Sequence, residues 1–273
     1  MKFILLSIAL TASLISCKNE TKNIENPTPK LAEVITPKYK GSSDKFAASI
    51  ERAHNKAVFV SKDAVSFDIA IQFGGKERLN GTMTLKTDSS HGLIELADGN
   101  KMFVNGNKLF VTPGLADNKG ARFDAFTWSY FALFPFKLGD EGTQWSNESS
   151  RDWNQTSYDT KKLSFKAGSG DTPDDWYVIY KDKTSDLLTA ASYIVTFGKT
   201  VEKAESDPHV ISYDDYVSVD GVRFAKDWKF WGWTEEDGFG EDQIGAAQLS
   251  KFKFVATDDS TFKAPDDAIE VAL

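Results

Sequence analysis

Few residues in this 273-residue chain stand where chemistry would need them. The three histidines, His54, His91 and His209, lie far apart in sequence and lack the short spacing of metal ligands, so they read as incidental surface positions. Asp214 and Asp215 are adjacent in a run with a period of two. Their side chains therefore point to opposite faces of a strand and cannot act together. The string Gly168-Ser169-Gly170-Asp171 lacks the Gly-x-Ser-x-Gly order of a nucleophile elbow. Glu235 to Gln243 is acidic and glycine-rich but lacks the alternating oxygen ligands of a calcium loop, and reads as a solvated turn. No phosphate-binding loop and no triad stands out. These readings predict a protein that is not an enzyme, with no catalytic residue, no metal and no cofactor.

The exception is Cys17, the only cysteine, which also rules out an internal disulfide. The chain opens MKFILLSIALTASLISC. Lys2 supplies a positive start, Phe3 to Leu10 an apolar stretch, and small and polar residues follow. That is the pattern of a secretory signal peptide, too short for the roughly 20 apolar residues of a membrane span. The string Leu14-Ile15-Ser16-Cys17 resembles a lipobox, the processing site of bacterial lipoproteins. The resemblance implies cleavage before Cys17, a diacylglycerol on its sulfur and an acyl chain such as palmitate on the new amino group. Several chains are needed because one anchors only marginally. Residues 1–16 are thus read as a leader. Residues 17–42, rich in Asn, Lys and Thr and carrying Pro27, Pro29 and Pro37, are read as a disordered tether. Lys18, not Asp, follows the cysteine, which points to the outer membrane, facing the periplasm, over the inner membrane.

The elements that must position any site lie in residues 43–273, read as one domain. Hydrophobic residues make up 41% and aromatic ones 13%, enough for a sizeable core. The formal charge of −8 argues against nucleic acid and against anionic headgroups as partners. Ser43 to Asn55 places Phe46, Ile50 and Ala53 on one helical face, with Ser43 or Asp44 as cap. From Val65 the period becomes two: Val65, Phe67, Ile69, Ile71 and Phe73 alternate with polar or small residues. Leu79, Gly81, Met83 and Leu85 share a face of the next strand. Asp98-Gly99 and Asn105-Gly106 mark turns, the second a hairpin. Further strands are predicted at Thr143–Ser149, Trp153–Tyr158, Lys161–Ala167, Trp176–Asp182, Leu187–Phe197 and within the runs Val210–Trp233 and Ala246–Ala256, with a short helix at Lys199–Ser206. The fold class is α+β: a large curved antiparallel sheet, an incomplete β-barrel, with a few helices covering its concave face.

The order of these parts resembles the lipoprotein-carrier superfamily, the outer-membrane lipoprotein-sorting proteins and their relatives. The resemblance rests on the strand "LNGTMTL", the "ADGNKM" turn-strand at Ala97–Met102, the turn from Asp182 to Leu188, and Phe262, Pro265 and Val271 near the end. "FGGKERLNG" (Phe73–Gly81) and "FTWSYFALFPFKLGDEGTQW" (Phe126–Trp145) resemble a family of uncharacterised bacterial lipoproteins. The superfamily implies a half-barrel with a helical lid and an apolar interior that holds acyl chains. The soluble carriers shuttle, whereas this chain carries an anchor signal, which implies a receiver or a fixed lipid-binding module.

Two aromatic runs are the candidate ligand walls. In "FDAFTWSYFALFPF" (Phe123–Phe136) half of the residues are aromatic. On a helix, Phe123, Phe126, Tyr130, Leu133 and Phe134 share one arc; Trp128 and Phe131 fall outside it; Ala125, Ser129 and Ala132 form a thin side; and Pro135 ends it. Such a helix is a plug in the core, or a lid whose Trp128 and Phe131 touch a lipid tail; a membrane-dipping segment is a third reading. In "WKFWGW", Trp231 and Trp233 share one face of a strand, read as a buried wall, a ligand wall or an exposed pair for sugar rings. The candidate ligand contacts are therefore Phe126, Trp128, Phe131, Phe134, Trp231 and Trp233. The expected function is a lipid-anchored, monomeric module that binds a lipid or acyl chain, possible partners being lipids or lipoproteins. The alternative is a non-catalytic scaffold or partner-binding lipoprotein with a filled core.

Overall fold

The computed structural model describes residues 41–258 and 260–273. The expected leader, the lipidation residue Cys17 and all but the end of the expected tether lie outside the described residues. Helix α1 (Lys45–Ala53) begins at Asp44, whose Oδ1 accepts from the Phe46 and Ala47 N–H groups at 3.0 and 3.1 Å. This satisfies two of the donors that a helix start leaves open. Ser42 is already docked, its N–H donating to Glu51 Oε2 at 2.9 Å. A single turn, α2 (Lys56–Phe59), follows.

The strands are β1 (Ala64–Phe73), β2 (Lys76–Lys86), β3 (His91–Leu96), β4 (Lys101–Asn105), β5 (Lys108–Val111), β6 (Thr143–Trp153), β7 (Thr156–Phe165), β8 (Tyr177–Asp182), β9 (Leu188–Tyr193), β10 (His209–Val219), β11 (Val222–Thr234), β12 (Gly238–Val255) and β13 (Ile269–Val271). They form one 13-stranded antiparallel sheet in the order β13-β5-β4-β3-β2-β1-β12-β11-β10-β9-β8-β7-β6. The sheet is open, with β13 and β6 as its edges. Helix α3 (Ala121–Leu133) and the 3-10 turn Phe134–Phe136 are inserted between β5 and β6, and α4 (Val201–Glu205) between β9 and β10.

Local sequence explains most of this. Val65, Phe67, Ile69 and Ile71 are buried at every second position of β1, while Ala70 and Gln72 are exposed. Asn105 pairs with Lys108 across Gly106, whose φ of 58° is easy only for glycine. Gly81 of β2 sits so close to β3 that a Cβ there would lie 2.2 Å from the Glu95 carbonyl oxygen.

Three expectations about elements are corrected. Thr143–Ser149, Trp153–Tyr158 and Lys161–Ala167 are not three strands but the two arms of one hairpin. The expected middle strand straddles its turn, where Asn154 and Gln155 both have positive φ (47° and 62°) and Trp153 faces Thr156. The strand from Leu187 ends at Tyr193, well short of Phe197. In the acidic run Glu235–Gln243, only the start is a turn, because β12 begins at Gly238.

The apolar residues divide between two faces. The main core lies on the face that carries α1, α2 and α3. It is aromatic-rich, with Phe59 stacked on Phe136 at 3.9 Å between ring centroids and Phe224 on Phe252 at 4.7 Å. A smaller cluster on the other face joins Tyr158, Val178, Tyr180, Ala190, Val210 and Trp233. The alternation in β8 shows the division: Tyr177 and Ile179 belong to the main core, Val178 and Tyr180 to the outer cluster. Among the described residues, no helix is long and apolar enough to cross a membrane.

Candidate functional site

The site is built around α3. Its aromatic residues encircle it, so hydrophobic patterning alone does not say which side meets the sheet. Two features decide. Ala121 and Ala125, both 0% exposed, allow close approach to β2, β4 and β5. Asp124 is buried and organises the inner side: its Oδ1 accepts from Trp128 Nε1–H at 2.9 Å and from Arg78 Nη2–H at 3.1 Å. Burial raises the Asp124 carboxyl above its usual range, and the Arg78 cation and the indole donor oppose that shift. The Trp128 ring meets Phe230 of β11, and Phe131 meets Tyr193 of β9 at 5.0 Å. From below, Tyr213 Oη donates to the Phe131 carbonyl at 3.3 Å. Pro135 lies in the 3-10 turn that ends the element.

The other side of α3 borders a cavity of about 310 Å³, at the lower end of the range for small-molecule sites. Its apolar walls are Phe123, Phe126 and Phe131 from α3, Phe165 at the end of β7, and Val195 and Phe197 beyond β9. Tyr177 and Tyr193 form the floor. A second chamber of about 120 Å³ lies across α3, lined by Leu85, Gly92, Val104, Ala125 and Leu133. Phe126 and Tyr130 border both chambers and form the ridge between them. The Tyr130 hydroxyl and the Ser129 hydroxyl are buried without a hydrogen-bond partner.

Part of the lining of the larger chamber is polar. Arg122 of α3 grips Asp171 through two bonds, Nε–H to Oδ2 at 2.7 Å and Nη2–H to Oδ1 at 2.9 Å. The same guanidinium donates to the carbonyls of Asn107 and Val271 and lies 4.8 Å from the centre of the Phe126 ring. Arg122 thereby ties α3 to the β4–β5 turn, to β13 and to the loop between β7 and β8. That loop contributes Ser169, Gly170, Thr172 and Asp175 to the lining. Asp175 is 8% exposed; its Oδ1 accepts from the Thr196 N–H and Oγ1–H at 2.8 and 2.7 Å, and its Oδ2 from Thr172 Oγ1–H at 2.8 Å. Burial pushes its carboxyl up.

The six aromatic candidates separate in space. Phe126 and Phe131 line the cavity. Trp128 and Phe134 are buried beside it, 3% and 0% exposed, and do not line it. The lid reading is corrected for Trp128, which is a buried plug, whereas Phe131 lines the cavity together with Phe123, Phe126 and Tyr130. Trp231 and Trp233 are not brought to this site. They belong to the outer cluster, where Trp233 Nε1–H donates to Tyr180 Oη at 3.0 Å and Trp231 packs edge-on against Trp153 and Phe239. Sequence reasoning passed over Arg122, Asp171 and Asp175. The string at Gly168 offers only the outline of a nucleophile loop, and no local pattern marks it as a cavity wall.

The other chemistry-bearing residues have structural settings. His54 is not a surface residue: it is 0% exposed. Its Nδ1–H donates to the Arg223 carbonyl at 3.0 Å and its Nε2 accepts the Leu188 N–H at 3.2 Å. Burial lowers its pKa from 6.5 to about 4. Asp214 and Asp215 pair separately with Lys229 and Lys226. Among the described residues, no group of three or more His, Cys, Asp or Glu side chains is placed to hold a metal.

No protein-family model matches the sequence, and no curated protein matches it. Solved structures do share its fold. A LolA superfamily protein of Nitrosomonas europaea superposes with a TM-score of 0.52 at 11% identity, covering 80% of this chain and 97% of that one. A DUF1329 family protein of Desulfovibrio piger superposes with a TM-score of 0.52 at 15% identity, covering 81% and 98%. The fold is therefore that of the LolA-like class, an open antiparallel sheet with few helices.

Proposed function

We propose that this chain is a lipid-anchored module of the cell envelope, held by Cys17 to the outer membrane and facing the periplasm. It binds a lipid or acyl chain between α3 and the sheet and catalyses no reaction. The observation that carries this reading is the 310 Å³ chamber with its aromatic walls. A scaffold with a filled core would have no such space beside its most aromatic helix. Phe126 and Phe131 are the ligand-contacting residues of the candidate set, joined by Phe123, Phe165, Val195 and Phe197. Trp128 and Phe134 hold the helix in place. Each methylene transferred from water to such walls contributes about 0.8 kcal/mol, so chain length sets affinity.

The test uses the full chain carrying Cys17→Ser, examined by native mass spectrometry and by displacement of a fluorescent fatty-acyl probe. Co-purified lipid, or saturable probe uptake that Val195→Trp lowers at least tenfold by filling the chamber, is the expected result. A clean apo mass together with no probe uptake would overturn the proposal.

A further inference from the structure

The larger chamber is electrically lopsided, and the imbalance bears on what its ligand carries at the polar end. Among the described residues that line it, Arg122 is the one cation, and Asp171 and Asp175 are the anions. Arg122 is spent: four of its five N–H donors go to Asp171, Asn107 and Val271. Asp175 has no such counterpart. It is 8% exposed, and among the described residues no lysine, arginine or histidine lies within ion-pair distance of it. Its nearest charged neighbour in sequence, Asp174, is also an acid and adds to the repulsion.

A buried carboxylate without a cation is costly. Three hydroxyl and amide donors, two from Thr196 and one from Thr172, hold it in place. A carboxylate has about four acceptor sites, and Oδ2 accepts from Thr172 alone. One acceptor position is therefore left on a group that borders the cavity. An acidic head brought against this part of the lining would meet two carboxylates and, among the described lining residues, no cation but the Arg122 already paired with Asp171.

We infer that the polar end of the ligand is a hydrogen-bond donor, neutral or cationic, received by Asp175 Oδ2, and that ionised carboxylate or phosphate heads are rejected. The inference rests on the proposed lipid-binding reading of this chamber and narrows it to hydroxyl-headed or ammonium-headed amphiphiles, such as an acylglycerol or a long-chain amine. Phe126, Phe131 and Phe197 take the chain; Asp175 selects the head.

The experiment compares three probes of equal chain length at about pH 8, where the fatty acid is ionised and the amine protonated: a monoacylglycerol, a primary amine and the fatty acid. Binding is read by displacement on the full chain with Cys17→Ser and on the same chain with Asp175→Asn added. Asparagine keeps an oxygen for the Thr196 donors and reverses only the Thr172 bond, so the variant is expected to fold; circular dichroism checks this. The expected result is that the amine and the acylglycerol bind at least about tenfold more tightly than the fatty acid, and that Asp175→Asn shrinks this preference to about threefold or less by improving fatty-acid binding and weakening amine binding. Equal binding of all three probes to the parent chain, or a preference that Asp175→Asn leaves intact, overturns the assignment of Asp175 while the lipid-binding reading stands. Failure of every probe to bind overturns both. Should Asp175→Asn not fold, Thr172→Val, which frees Oδ2 from its one partner, is the second variant: it should strengthen amine binding, and unchanged amine affinity overturns the inference.

Discussion

Lowering the pH from 7 to 5 should remove about 2 kcal/mol of stability through His54 alone. The imidazole is buried between the end of α1, the start of β9 and the β10–β11 hairpin, with Phe136 and Tyr216 rings against it at 6.1 and 5.3 Å. Its folded pKa is about 4 against 6.5 for the free side chain. The folded state therefore resists a proton that the unfolded state accepts, and between these two values stability rises with pH. The contribution is fully present above pH 6.5, shrinks as the pH falls, and is exhausted below about 4. At pH 5 the unfolded chain is protonated at this position while the folded chain is mostly not, about 1.5 units into the window at 1.36 kcal/mol each. The bonding explains the direction. An imidazolium has no acceptor, so protonation would strand the Leu188 N–H that Nε2 now receives. The assay is urea unfolding at both pH values for the parent chain and for His54→Gln, whose side-chain oxygen can still accept from Leu188. Carboxyls that burial raises, Asp124 and Asp175, and one that Lys86 holds down, Asp63, titrate alike in both proteins and cancel in the difference. An equal loss of stability in parent and variant would refute the reasoning, because it would mean that His54 is protonated as easily folded as unfolded.

Other perturbations follow from the packing. Trp128→Ala should cost about 3–5 kcal/mol in thermal or urea unfolding, since it empties the space against Phe230 and takes one donor from buried Asp124; a loss below about 1 kcal/mol would mean that α3 is not the plug described here. Gly81→Ala should destabilise by about 1–3 kcal/mol, because its Cβ would collide with the Glu95 carbonyl and force β2 and β3 apart; amide exchange should report the opening at this pair of strands.

Much of the fold was legible because strand burial is written in a two-residue period and turns in a few residue types. The alternation in β1, the Asp44 cap and the Asn105-Gly106 hairpin all lie where the sequence places them. The hairpin of β6 and β7 was misdivided because Asn154-Gln155 is a weaker turn signal than Asn-Gly, and tertiary pairing set its position. The site was less legible. The aromatic helix could be recognised, but not its rotation, because a helix apolar on every side has no phase to read. Trp231 and Trp233 could be placed on one face of a strand, but nothing local says which face of the sheet carries the helices.

The sequence by itself determined the alternating antiparallel elements and the aromatic helix among them, because each depends on residues close together along the chain. Only the tertiary structure decided that the space beside α3 stays open, that Asp175 lines it with no cation paired to it among the described residues, and that His54 is sealed inside. Those outcomes depend on which distant segments meet. Arg122 gathers four of them, and no short stretch of sequence records that.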